Sequence, residues 1–102
     1  MSEKDAAGAL GLAQKAGKVS SGDLGVKDAL SGGKAKLLVI AADASPNTVK
    51  ELKFLAEKAS VPVISCMKRT ELGLCIGKAP RAAVAVLDNG FAGLIMKKWN
   101  VR

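Results

Sequence analysis

The sequence predicts an α/β fold, a three-layer α/β/α sandwich around a small four-stranded mixed sheet. Three observations lead there. Segments with helical spacing alternate along the whole chain with short apolar runs. Two of those runs, 37–42 and 82–87, are uninterrupted, as strands buried on both faces are. The chain is 49% hydrophobic but holds few aromatics (Phe54, Phe91 and Trp99), so Val, Leu, Ile and Ala must build its core. A length of 102 residues suits one domain, residues 1–102, large enough for a modest core.

The elements follow in order. Residues 2–16 read as a first helix, with Ser2 as a cap and Leu10 and Ala13 on its inner face. Gly17-Lys18 breaks it, and Val19 suits a short edge strand. Ser20, Ser21 and Gly22 form a helix-start signal, and the spacing predicts a second helix over 21–30, capped by Ser21 and ended by Gly32-Gly33. The run from Leu37 to Ala42 is the first buried strand. Ser45 is a good N-cap and Pro46 fits the first helical position, so a third helix starts there. Val49, Leu52, Leu55, Ala56 and Ala59 follow helical spacing, with Lys50, Glu51, Lys53, Glu57 and Lys58 on the other face. Residues 61–66 form the next strand, with Pro62 near its start, where a missing N–H is tolerated. Residues 70–76 are a short helix ending at Gly77. Lys78 to Arg81 is a tight basic loop before the buried strand over 82–87. Asp88-Asn89-Gly90 reads as a turn, and 91–99 as the last helix, with Phe91, Ile95 and Trp99 along one side.

Sixteen Lys and Arg against nine Asp and Glu give a net charge of +7. On a domain this small, that excess points to a polyanionic partner, most often nucleic acid, with plain solubility as the alternative. No lysine-rich amphipathic helix stands apart from the core, which argues against a membrane partner. Cys66 and Cys75 form no CxxC pair, and the chain has no His, so no metal site is expected. A sparse cysteine pair, with no signal peptide and no apolar run near the ~18 residues of a membrane span, fits a cytoplasmic protein with reduced thiols.

Enzyme signals are weak, and no cofactor is expected. A nucleophile usually needs a base beside it, and histidine is missing. Gly32-Gly33-Lys34 lacks the Ser or Thr of a phosphate-binding loop, has Asp28 where its first glycine belongs, and precedes a strand rather than a helix. Gly8-Ala9-Leu10-Gly11 lacks the spacing and the preceding strand of a dinucleotide site. Asp43 sits at a strand end, but a phospho-accepting domain needs further acids near its first strand, and none are there.

Two segments carry the binding chemistry. In the first, from Ser20 to Lys36, a helix start at Ser21 leaves backbone N–H groups around Gly22 and Asp23 that favour an anion. Asp23 is an acceptor for the N–H groups of a guanine edge, and Lys27, one turn later, suits a phosphate or a guanine O6/N7 edge. Lys34 and Lys36 add charge. The plainer reading is that Asp23 favours the helix dipole and pairs with Lys27 at i,i+4. The second segment is Lys78-Ala79-Pro80-Arg81. Pro80 and the stem of Arg81 suit packing against an unstacked base while the charges hold phosphate, or the loop is simply a basic surface turn.

The order of these motifs, SGDLGVK, GKAKLLVIAADASPNT, VPVISC and ELGLCIGKAPRAAVAVLDNGF, resembles the L7Ae/L30e superfamily of kink-turn-binding ribosomal proteins. The ending DNGFAGLIMKK is most similar to its bacterial YlxQ-like branch. The resemblance covers about residues 8–98, and GKAKL followed by AADASP, with LGLCIGK, is its most specific part. It implies the same α/β/α sandwich and a non-enzymatic role. The implied partner is structured RNA (ribosomal RNA, a riboswitch or another non-coding RNA) bent at a three-nucleotide bulge beside sheared G·A pairs.

The family's signature, Gly-x-Asn-Glu-x-x-Lys, falls on Ser21, Asp23, Leu24 and Lys27. Asp23 keeps an acceptor but loses the amide donor, Leu24 loses the carboxylate, and the lysine alone is unchanged. Ser45 stands where relatives often carry a carboxylate before the third helix. The loop that packs on bulged nucleotides carries over to Lys78, Ala79, Pro80 and Arg81, a further basic contact to Arg69, and apolar contacts to Val49 and Ala83. With Asp23, Leu24 and Ser45 in place, fewer polar groups read the guanines, so the expectation is binding that is weaker, or more dependent on charge, than in archaeal members. The resemblance implies a ribosome-associated monomer. The alternative is a protein-interaction module of a ribosomal or RNA-processing complex with only non-specific RNA affinity.

Overall fold

Alternation along the two central strands decides which layer each side chain enters, and so where the helices lie. The computed structural model describes residues 2–100, and side chains for 4–99. Its elements follow in the order α1 (Ser2–Lys15), β1 (Val19–Ser21), α2 (Asp23–Ser31), β2 (Leu37–Ile40), α3 (Pro46–Lys58), β3 (Val63–Ser65), α4 (Arg69–Cys75), β4 (Ala83–Val86) and α5 (Asn89–Asn100). The sheet order is β1-β4-β2-β3. β4 is antiparallel to both β1 and β2, while β2 and β3, joined by the α3 crossover, are parallel. This is the mixed four-stranded sheet expected from the sequence.

Every residue of β2 and β4 is buried. Leu37, Val39, Val84 and Val86 pack with Leu10 of α1, Leu72 of α4 and Ile95 of α5. Leu38, Ile40, Ala83 and Ala85 pack with Val26 and Leu30 of α2 and with Leu52 and Ala56 of α3. Period-2 alternation thus feeds two cores, one on each face, and makes the three layers. The inner positions expected on α1, Leu10 and Ala13, are fully buried, and Phe91 and Trp99 flank Ile95 against the first core.

The largest departure is at the start of α2. Ser21 does not cap it. Ser20 and Ser21 extend β1 and pair with Ala85 and Val84, and the N-cap is Gly22, with no side-chain cap bond. Gly22 has φ 85° and ψ 158°, a conformation favouring glycine, and turns the chain from strand to helix in one residue. The Asp88-Asn89-Gly90 turn is also corrected: α5 begins at Asn89, and the Asp88 carboxylate accepts from the Phe91 N–H at 3.0 Å. The strands stop short of their apolar runs. The N–H groups of Ala41 and Ala42 leave the ladder for the carbonyls of Ala82 and Met67. Ser45 caps α3 as expected, accepting from the Thr48 N–H, with Pro46 in the first turn. The cap expected at Ser2 lies outside the described side chains.

Three helices end the same way. Gly17, Gly33 and Gly77 have φ 72°, 72° and 71°. Each is followed by a lysine whose N–H returns to a carbonyl of the preceding helix: Lys18 to Ala13, Lys34 to Ala29, and Lys78 to Gly73, at 2.9, 3.0 and 2.8 Å. These are glycine-capped helix ends that satisfy otherwise orphaned carbonyls and fix the lysine's backbone. Among the described residues, no helix is long and apolar enough to cross a membrane.

Candidate nucleic-acid interface

The sheet has two ends, and its register sorts the candidate residues between them. Ile40 pairs with Ala83 at one end, and Leu37 pairs with Val86 at the other. The start of α2, the cap of α3 and the Lys78–Arg81 loop all gather at the Ile40 end. There Gly22, Asp23 and Val26 face Thr48 and Leu52 of α3, with Pro80 to Ala83 closing a cleft of about 260 Å³.

One side chain ties the two segments together. Arg81 Nε donates to Ser21 Oγ at 3.3 Å, across 60 positions of sequence. Arg81 Nη1 donates to the Ala79 and Pro80 carbonyls at 3.2 and 3.3 Å. The Arg81 N–H reaches the Arg69 carbonyl at 3.1 Å. The guanidinium therefore staples its own loop to the last residue of β1, using its planar fork rather than its charge alone. The loop is also pressed from beneath: Gly73 of α4 lies so close to Lys78 and Ala79 that no side chain fits between them.

The lysine expected to hold phosphate is already paired. Lys27 Nζ lies 3.3 Å from Asp23 Oδ2 and 3.2 Å from Glu51 Oε1. Its pKa is raised, first by the hydrogen bond to Glu51 and then by that to Asp23. The i,i+4 pairing is the plainer of the two sequence readings. Glu51 is new, because only the packing of α3 on α2 brings it there. Arg69 is paired too, its Nε 3.8 Å from Asp43 Oδ1. The same Asp43 oxygen accepts from the Arg69 N–H at 2.8 Å at the start of α4, which gives this strand-end acid a structural task. Ser45 Oγ donates to Thr48 Oγ1 at 2.9 Å besides capping α3, so its hydroxyl is engaged within the helix start.

Of the other candidates, Leu24 is 72% exposed in the first turn of α2, beside the cleft. Ala83 lines the cleft, and Val49 is half-buried on α3. Lys34 and Lys36 are not brought to this site: they precede Leu37, at the opposite end of the sheet. Val26, Thr48 and Leu52 also line the cleft, although none is among the binding residues expected from the sequence, where Leu52 reads as a core position. Burial pushes the Cys75 thiol up to about 11, so it stays protonated at neutral pH and is no ready nucleophile.

A small α/β/α sandwich with a basic loop and a helix start closing one cleft defines a class of compact binding domains, and its sequence can be placed within that class. The chain belongs to the Ribosomal protein L7Ae/L30e/S12e/Gadd45 family, whose model matches residues 4–95. It is 42% identical over 88 residues to the RNA-binding protein YlxQ of Bacillus subtilis, covering 85% of this chain and 87% of that one. It is 40% identical over 77 residues to large ribosomal subunit protein eL8 of Picrophilus torridus, covering 74% of this chain and 61% of that one. Among solved structures, a Bacillus halodurans protein of unknown function superposes with a TM-score of 0.89 at 29% identity, covering 94% of this chain and 97% of that one. The Giardia lamblia 15.5kD RNA binding protein shares the fold, with a TM-score of 0.82 at 19% identity, over 96% and 84% of the two chains.

Proposed function

We propose that this protein, acting as a single domain and as a monomer, binds structured RNA at a kink-turn and holds the RNA in its bent form. The observation that carries this reading is the Arg81–Ser21 bond, which joins the helix-start segment and the basic loop into one cleft. The RNA-binding and ribosomal names of its relatives point the same way. In this reading Lys78 and Arg81 meet the phosphates around the bulge, Pro80 and Leu24 offer apolar surface to unstacked bases, and Asp23 accepts from a guanine edge. The free RNA samples straight and kinked states. A protein that binds only the kinked state shifts that population by its differential affinity and needs no catalytic group. The setting we propose is the bacterial cytoplasm, on ribosomal RNA, a riboswitch or another structured RNA.

Titration with a kink-turn duplex and with a control whose G·A pairs are replaced tests it. Tighter binding to the kink-turn is expected. Equal affinity for both, beside a stable protein partner in pull-downs, would instead favour the protein-interaction reading.

The paired state of Lys27 makes a further prediction. Asp23, Lys27 and Glu51 together carry one net negative charge at the edge of a site for a polyanion. Glu51→Gln removes that excess and is expected to tighten RNA binding several-fold. Lys27→Ala leaves two unneutralised carboxylates facing the RNA and is expected to weaken binding by more than the loss of one phosphate contact, whose salt slope is about 0.7 to 0.9. Anisotropy titrations at several salt concentrations read both. Weaker binding by Glu51→Gln would mean that Glu51 serves to aim Lys27.

A further inference from the structure

We infer that the opposite end of the sheet is a second binding surface, one that holds an RNA phosphate backbone without reading sequence, so that one copy of the protein can engage two RNA segments. It rests on the RNA-binding reading above but concerns different residues. Lys15 ends α1, Lys18 enters β1, and Lys34 and Lys36 lead into β2. The sheet gathers the last three. The Leu87 N–H bonds to the Lys18 carbonyl at 2.8 Å, and the Lys36 N–H to the Val86 carbonyl at 2.7 Å, so the two lysines flank the end of β4 from both sides. With two strand spacings between them, their backbones lie about 10 Å apart. Lys18 and Lys34 each follow a left-handed glycine that caps a helix, as Lys78 does at the cleft. A shallow cleft of about 380 Å³ opens beside Lys34, floored by Gly25, Ala29 and Gly32 and edged by Ser20 and Leu87.

Among the described residues, the lysines here carry no carboxylate partners, whereas two of the cations at the first site do. Lys27 and Arg69 at the Ile40 end are held by Asp23, Glu51 and Asp43. Among the described residues, Lys15, Lys18, Lys34 and Lys36 are in no ion pair. The acids at their end of the sheet are few. Asp28 borders the shallow cleft, and Asp88 uses its carboxylate to cap α5. Unpaired cations are the ones that release counterions from a nucleic acid, so this end supplies a non-specific, salt-sensitive component of binding. Attraction to helix C-termini accounts for Lys15, Lys18 and Lys34 in part, but not for Lys36, which stands at the entry of a strand. The partner that fits is a phosphate backbone: lysines on fixed backbone positions, with one of them beside a shallow cleft lined largely by glycine and alanine, offer little to distinguish bases.

The test uses a plain RNA duplex without bulge or G·A pairs, and the triple variant Lys18→Ala/Lys34→Ala/Lys36→Ala. A charge-matched control, Lys53→Ala/Lys97→Ala/Lys98→Ala, corrects for net charge. The far-end variant is expected to bind the plain duplex at least tenfold more weakly than the control variant, with a salt slope shallower than wild type by about two to three units. Its preference for a kink-turn over the G·A-replaced control should be unchanged. Kink-turn RNA fixed to beads and loaded with wild-type protein should also recruit labelled plain duplex, and beads loaded with the far-end variant should not. Equal losses in the two triple variants would overturn the second surface. Because the duplex assay involves no kink-turn, a failure of kink-turn recognition would show separately, as equal binding of the kink-turn and its control.

Discussion

Adding one methyl group at Gly73 is expected to cost this protein stability and most of its affinity for RNA. A Cβ there would press on the Ala79 carbonyl, with the Ala79 carbon at 2.7 Å and the Lys78 oxygen at 2.9 Å. All of these are backbone atoms, so no side-chain rotation relieves the contact. Either α4 or the Lys78–Arg81 loop must move. The helix is anchored by Leu72, which is fully buried, and by the Glu71 carboxylate on the Lys68 N–H at 2.8 Å. The loop is exposed, so the loop gives way. Overpacking of this kind costs about 1–3 kcal/mol. In a domain this size each kcal/mol lowers the melting temperature by roughly 4–8 °C. The binding loss should be larger than that stability loss explains, tenfold or more, because the displaced Ala79 carbonyl is one of the two that Arg81 holds. Gly8→Ala is the control. Gly8 lies in α1 with nothing within 4 Å of an added Cβ, so alanine should stabilise the helix by up to about 1 kcal/mol and leave binding alone. Thermal melts and RNA titrations of both variants check this. Wild-type affinity in folded Gly73→Ala would show that the loop's position does not matter to binding.

The buried strands were legible in the sequence because central strands impose a strong pattern. Leu37 to Ile40 and Ala83 to Val86 face apolar layers on both sides, and nothing polar is tolerated there. β1 is an edge strand of three half-buried residues, and no such pattern constrains it. Its two serines are as good a helix cap as a strand end, and only pairing with β4, more than sixty residues away, decides between them. Asp88 is similar: Asp-Asn-Gly suits a turn and a helix start equally, until the Phe91 N–H settles it.

From the residues alone the candidate site was legible as two separate segments, and only the family resemblance set them side by side. Charge and loop chemistry mark Lys78 to Arg81 and Asp23 to Lys27 locally, whereas their meeting is a tertiary fact. Lys34 and Lys36 show how nearness in sequence misleads. They close the segment that opens at Ser20, yet a nine-residue α2 at 1.5 Å per residue carries the chain about 13 Å to the other end of the sheet. Glu51 was readable only as a polar residue on the outer face of α3. Its bond to Lys27 depends on how two helices pack on one face of a sheet, which no local spacing encodes.

Arg81→Lys is expected to weaken RNA binding about tenfold while leaving its salt dependence nearly unchanged. Lysine keeps the positive charge, so the number of counterions released on binding stays the same. It loses the fork, which bonds Ser21 Oγ on one side and the Ala79 and Pro80 carbonyls on the other. A lysine ammonium is a compact point charge on a flexible stem and does not span those three acceptors in one plane. The loop then samples orientations in which Pro80 no longer lines the cleft with the start of α2, and binding must supply the cost of ordering it. Arg81→Ala should lose the same ordering and one phosphate contact as well, so both its affinity and its salt slope should fall. Ser21→Ala removes only one acceptor and should show a smaller loss, and in the double variant with Arg81→Lys that loss should largely disappear, as coupled partners require. If Arg81→Lys binds like wild type at every salt concentration, Arg81 acts only as a charge, and the staple between the loop and β1 does not set the geometry of the cleft.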